Sequence, residues 1–157
     1  MNRSDIQLEV RNRQRKWPIN VDLVHEIGTW VAETLFEHQS AEISVQFLPS
    51  TRMAEVNQDF LEHEGATDVI TFDLSEETMP EYLMGEILVC PEVASRQSVE
   101  FNTQWHEEAI RYVIHGLLHL KGFDDLEPEK RKVMKRHENN WMKKAAQRFN
   151  LDDLIAK

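Results

Sequence analysis

The stretch His115-Gly-Leu-Leu-His119-Leu-Lys-Gly122-Phe-Asp-Asp125 decides how this chain is read. Two histidines stand four apart in an apolar run, a glycine follows three residues after the second, and an acidic pair closes the stretch. With Phe101 to Lys121 helical, both imidazoles leave one face, one turn apart. Gly122 falls where helices commonly end in a left-handed residue, so the chain turns back and brings Asp124 or Asp125 towards the rings. Two imidazoles, one carboxylate and an open fourth position have the form of a catalytic zinc site. A carboxylate ligand also leaves manganese or iron open.

The spacing matches the zinc-protease pattern H-E-x-x-H-x-x-G-x-x-H, with Asp125 in the last ligand place. Gly116 stands where that pattern carries its general-base glutamate. Glycine accepts no proton, so the spacing supports a metal and argues against ordinary peptide hydrolysis.

The 157 residues, 41% hydrophobic and 29% charged, fit one soluble domain over 1–157. No apolar run approaches the length of a membrane span, and MNRSDIQLEV lacks the apolar core of a signal peptide. The lone Cys90 excludes an internal disulfide, suits a reducing cytoplasm, and is expected to pack in an apolar strand. A net charge of −10 repels nucleic acid, so RNA would have to meet local cations such as those along Lys130 to Arg136.

Ile6, Leu8 and Val10 alternate as a first strand. Asn20 caps a helix carrying Val24, Ile27 and Val31, and Ile43, Val45 and Phe47 form a second strand. A helix from Ser50 or Thr51 buries Met53, Val56 and Phe60. Val69 to Phe72 is the third strand, Ser75 to Glu81 an exposed loop, and Glu86 to Cys90 the fourth strand. Pro91 opens a short helix through Ser98. The histidine helix is capped near Asn102 or Thr103 and, apolar over most of its circumference, is the central buried helix. Pro128 opens the last helix, which runs to about Asn150 and buries Val133, Met134, Trp141, Ala145 and Phe149. The order β-α-β-α-β-β-α-α-α predicts an α+β domain, one small mixed sheet of about four strands with about five helices.

Three blocks carry a family resemblance. HGLLHLKGFDD resembles the H-G-x-L-H-L-x-G-[FY]-D-H signature of the YbeY family of metal-dependent endoribonucleases. Thr67-Asp-Val-Ile-Thr-Phe72 resembles that family's T-D-V-[LI]-[ST]-F strand, and Gly85-Glu-Ile-Leu-Val-Cys-Pro91 opens a segment resembling its G-[DE]-I-x-[IV]-x-P-E-x-[AV]. Asn57 matches its L-N-x-x-[YF] stretch. The resemblance implies a zincin-like central helix and cleavage of single-stranded rRNA, in late 16S 3′-end maturation and ribosome quality control. It implies Zn2+ as cofactor, with rRNA and the small ribosomal subunit or its proteins as partners in the cytoplasm, and neither DNA nor membrane.

On that resemblance His115, His119 and Asp125 hold the zinc, each imidazole oriented by an acceptor on its other nitrogen. Asp124 is the candidate proton acceptor, with a turn-stabilising role as its alternative. Arg131, Lys132 and Lys135 are candidate RNA contacts. The chain departs from the family in having Asp125 for the usual histidine and Leu61 for a common arginine, for which Arg52 or Arg96 could substitute. Two other readings stand beside the nuclease. One is a ribosome-associated assembly factor with a structural metal; the other is a metallohydrolase of another substrate, with a peptidase disfavoured by Gly116. His137 is expected at a surface or, less favoured, beside the site, and His25, His38, His63 and His106 in solvent.

Overall fold

Alternation of apolar and polar residues builds β1 (Asp5–Asn12) in the computed structural model, which describes residues 5–157. The start of the segment scanned for an apolar leader lies outside those residues. Next come α1 (Val21–Leu35), β2 (Ser40–Phe47), α2 (Ser50–Leu61), β3 (Val69–Asp73), β4 (Tyr82–Val89) and α3 (Pro91–Phe101). Then follow α4 (Trp105–Lys121), α5 (Pro128–Arg148) and a 3-10 turn at Leu151–Leu154. The strands form one mixed sheet in the order β1-β2-β4-β3, in which only β3 runs antiparallel to its neighbour. The described residues thus form the expected α+β fold, with four strands and five α-helices among them.

The strand register sorts the side chains into two faces. Leu8, Ile43 and Gly85 stand in one row across β1, β2 and β4, and Val10, Val45 and Ile87 stand in another. This face packs under α1 and α4. On the opposite face α2 covers only the β3–β4 end, where Met53 and Val56 join Ile70 and Leu88 in a smaller apolar cluster.

Several expectations shift. Phe101 ends α3 rather than starting the histidine helix, because Asn102 caps α3 in the left-handed conformation (φ 55°). α4 begins instead at Trp105 behind Gln104. β4 starts at Tyr82, well before Glu86, and Cys90 is the buried N-cap of α3, one residue beyond the strand. Phe60 is 67% exposed, its ring edge-on to Phe72, and Val133 is 40% exposed. His106, expected in solvent, is 2% exposed. Its Nε2 lies 3.1 Å from Asp152 Oδ1, pinning the C-terminal turn onto the start of α4. That turn in turn receives Asn20, whose backbone N–H donates to the Leu154 carbonyl. Among the described residues no helix is long and apolar enough to cross a membrane.

α4 is the central element: Ile110, Val113, Ile114, Leu117 and Leu118 are fully buried between the sheet and the helices around it. Gly116 sets how closely it lies on β4. A Cβ there would stand 2.7 Å from Ile87 Cγ2 and 2.9 Å from Ile87 Cγ1, atoms of a side chain with no exposure and no room to swing away. Gly116 therefore makes room for a strand. Overpacking of this kind costs about 1–3 kcal/mol, and Gly116→Ala is expected to lower stability by about that amount despite its gain in helix propensity. Urea unfolding of the two proteins measures it, and an equal midpoint would show that the helix can lift off β4 freely.

Candidate functional site

α4 holds both histidines of the motif. It ends at Gly122, whose φ of 119° is a left-handed conformation that side chains resist, and whose N–H caps the His119 carbonyl. The reversal carries the chain back along the helix. Phe123 offers its carbonyl to His119, and Asp125 Oδ2 comes to 3.5 Å from His115 Nε2. Asp124 turns the other way. Its Oδ1 accepts from the Leu126 backbone N–H at 2.9 Å, closing an Asx turn, and its Oδ2 lies 3.9 Å from Lys130 Nζ. Of the two acidic residues, Asp125 is thus the one brought to His115.

Each imidazole is held through Nδ1. His115 Nδ1–H donates to Glu138 Oε2 at 2.9 Å, and His119 Nδ1–H donates to the Phe123 carbonyl at 3.0 Å. A carbonyl or carboxylate oxygen can only accept, so these partners fix the proton on Nδ1 and leave Nε2 of each neutral ring with a free lone pair. Burial pulls the pKa of His115 down, but the hydrogen bond and charge of Glu138, with Asp125 and Asp68 behind it, more than offset this. The group ends above its ordinary value. His119 is exposed, and among the described residues no three His, Cys, Asp or Glu side chains are gathered closely enough to hold a metal ion as they stand. The donor chemistry nonetheless fits one: two oriented imidazole nitrogens and a carboxylate from a single helix and its return loop.

His115 and Asp125 open into a cleft of about 550 Å³ between the end of α3, α4, the start of β3 and α5. Of the three candidate cations, Arg131 and Lys135 line it, while Lys132 does not and pairs with Glu129 at 3.7 Å. Arg111, one turn before His115, supplies a cation that the sequence reading missed. Its Nη1 donates to Asn139 Oδ1 at 2.8 Å and lies 3.8 Å from Glu138, and its Nε is 4.0 Å from Glu108. The two arginines considered as substitutes at Leu61 lie elsewhere: Arg52 pairs with Glu55 on α2, and Arg96 is exposed on α3. Tyr112 on the cleft wall donates to Gln97, and burial pushes its phenol up, which keeps it a donor.

Glu138 was also missed, although a signal exists. It falls on the stripe of Met134, Trp141, Met142 and Ala145, all buried, so a carboxylate interrupts the apolar face of α5. Its side chain is only 13% exposed, and a buried charge calls for a partner. His137, next to it, faces away and packs on the Phe123 ring at 4.4 Å.

A family model described as Endoribonuclease YbeY matches residues 9–146. A Bacteroides fragilis protein named Endoribonuclease YbeY is 38% identical over 116 residues, 73% of this chain and 81% of the relative. A Clavibacter sepedonicus protein of the same name is 30% identical over 130 residues, 78% of this chain and 85% of the relative. The solution structure of TM1509 from Thermotoga maritima superposes with a TM-score of 0.68 at 24% identity, covering 96% of this chain and 97% of that one, and so shares the fold.

Replacing Glu138 by glutamine keeps the shape but removes the charge that holds the His115 pKa up. With burial then unopposed by its main partner, the His115 titration in metal-free Glu138→Gln is expected to move to lower pH. Imidazole NMR signals followed through a pH series measure this, and an unmoved midpoint would remove Glu138 as the cause.

Proposed function

From the YbeY endoribonuclease family, to which this chain belongs, we propose that it is a zinc-dependent nuclease cutting single-stranded RNA. Its task in this reading is late maturation of the 16S rRNA 3′ end and ribosome quality control, in the cytoplasm and in contact with the small ribosomal subunit. The observation that carries the chemistry is the Nδ1 anchoring of His115 and His119, which turns both Nε2 atoms into oriented donors. Together with Asp125 they are the residues to hold the ion.

A divalent ion held by His115, His119 and Asp125 would supply Lewis acidity towards a phosphoryl oxygen and lower the pKa of a bound water. The protein's own groups do the rest. Glu138 keeps the His115 ring in one tautomer, and the Asx turn of Asp124 presents Asp125. This favours the turn-stabilising role of Asp124 over that of a proton acceptor. Arg131 and Lys135 offset the phosphate charge that an acidic chain repels. Gly116, filled against Ile87, leaves no place for a peptidase glutamate.

Metal analysis with cleavage assays tests the reading. The purified protein is expected to carry about one zinc per chain and to cut single-stranded RNA but not casein. His115→Ala, His119→Ala and Asp125→Ala should lose the metal and the cleavage together, and Glu138→Gln should weaken zinc binding about 10- to 100-fold. Full metal content in Asp125→Ala would remove that ligand. A second reading, an assembly factor with a structural metal, is favoured by one feature: half-exposed Leu61 at the end of α2, in place of an arginine. Intact rRNA processing in cells carrying metal-free His119→Ala would establish it over the nuclease.

A further inference from the structure

Phe101 stands out among the residues that the proposed chemistry does not use. It closes α3, its side chain is 59% exposed, and it lines the cleft that contains His115 and Asp125. A solitary exposed phenylalanine is ordinary on a protein surface. This one differs in its surroundings. The only other phenylalanine among the exposed large hydrophobic residues described is Phe60, and that ring is covered edge-on by Phe72 at 5.7 Å, whereas Phe101 has no ring partner among the described residues. The left-handed cap at Asn102 ends the helix directly behind it, and the Thr103 N–H bonds back to the Ser98 carbonyl, fixing the backbone on which the ring sits. Arg111, Arg131 and Lys135 line the same cleft.

An aromatic face beside a row of cations is the combination by which proteins bind single-stranded nucleic acid, the cations following the phosphates and the ring stacking on a base. Every base offers a π-face, so such a contact selects single strands over duplex, in which the bases are already stacked on one another. We propose that Phe101 is the base-stacking platform of this cleft, seating one nucleobase of a single-stranded RNA whose phosphates meet Arg111, Arg131 and Lys135; the proposal rests on the endoribonuclease reading above. Phe101 is a positioning residue in this account, acting on the path of the strand and not on the scissile phosphate.

Binding without cleavage tests it. A fluorescein-labelled single-stranded RNA of about ten nucleotides, within the span such clefts engage, is titrated in chelator and followed by anisotropy. Phe101→Leu, which keeps apolar bulk, is expected to bind about tenfold more weakly, and Phe101→Trp to bind at least as tightly as the unaltered protein. Val99→Ala, on the solvent side of the same helix, should change nothing. The decisive arm scans an abasic site along the RNA. At one position the abasic RNA should bind the unaltered protein as weakly as intact RNA binds Phe101→Leu, and that variant should lose nothing further there. Unchanged binding by Phe101→Leu, or an equal loss at every abasic position, overturns the platform while leaving the nuclease in place. If the unaltered protein neither binds nor cuts RNA, the endoribonuclease reading fails and the platform with it.

Discussion

The contact of α4 with β4 is the constraint on which the rest of this structure depends. A helix carrying a side chain at position 116 could not lie where this one lies, because Ile87 fills that space. Gly85 makes the reciprocal concession on the strand, where a Cβ would meet Leu120 Cδ1 at 2.5 Å. With one glycine on each element the two backbones approach closely, and α4 is buried along most of its length. Interiors packed to this density do not deform continuously, so the histidines that α4 carries inherit its rigidity. Rigidity matters more for His115 than for His119. The former sits at the bottom of a cleft beside Glu138, whereas the latter is exposed and is steadied by the carbonyl of its own return loop.

The cleft also explains how an acidic chain can be read as acting on an anion. Its lining carries four carboxylates, Asp68, Glu108, Asp125 and Glu138, against three cations, Arg111, Arg131 and Lys135. The carboxylates lie near the histidines or are tied into hydrogen bonds: Glu108 accepts from Thr103, and Asp68 accepts from the Val69 backbone. Arg131 and Lys135 are exposed on the α5 side. The net charge of −10 describes the whole surface, while the field a substrate meets is set by this local division.

Much of this was legible in the sequence, and the reasons are local. Period-two alternation placed β1 and β2, a run of β-branched residues placed β3, and Gly122 marked the end of α4 because few other residues adopt its backbone geometry. The order of the nine strands and α-helices among the described residues follows from such signals. The boundary between α3 and α4 was hidden because neither proline nor glycine marks it; Asn102 takes the left-handed cap, and Phe101 reads equally well as the start of the next helix. His106 was misjudged since the Asp152 that meets it lies 46 residues away. Glu138 and Arg111 share that character. Each is one half of a pair spanning α4 and α5, and local periodicity carries no information about which helix packs on which. Gly116 was read for the general base it cannot supply, while the Ile87 side chain it makes room for is visible only in three dimensions.

The two departures from the family pattern now act in one direction. Aspartate at 125 in place of histidine adds a negative charge beside His115, and leucine at 61 in place of arginine removes a positive one, so the pattern is shifted by two units towards cation binding. In the proposed metal site a carboxylate ligand would strengthen the hold on a hard divalent ion and leave the loaded site less positive than three neutral imidazoles would. An anionic strand approaching it then depends more heavily on cations elsewhere in the cleft. Arg111 answers that need in place but not freely, since Asn139 binds it and Glu108 and Glu138 face it. In the proposed nuclease Arg131 and Lys135 would therefore carry most of the attraction, and an uncharged contact such as a stacked base would gain weight where charge has been given up. If Phe101 seats a base as proposed, aspartate at 125 and the aromatic wall are linked: a cleft poorer in positive charge would recognise more of its substrate through the bases.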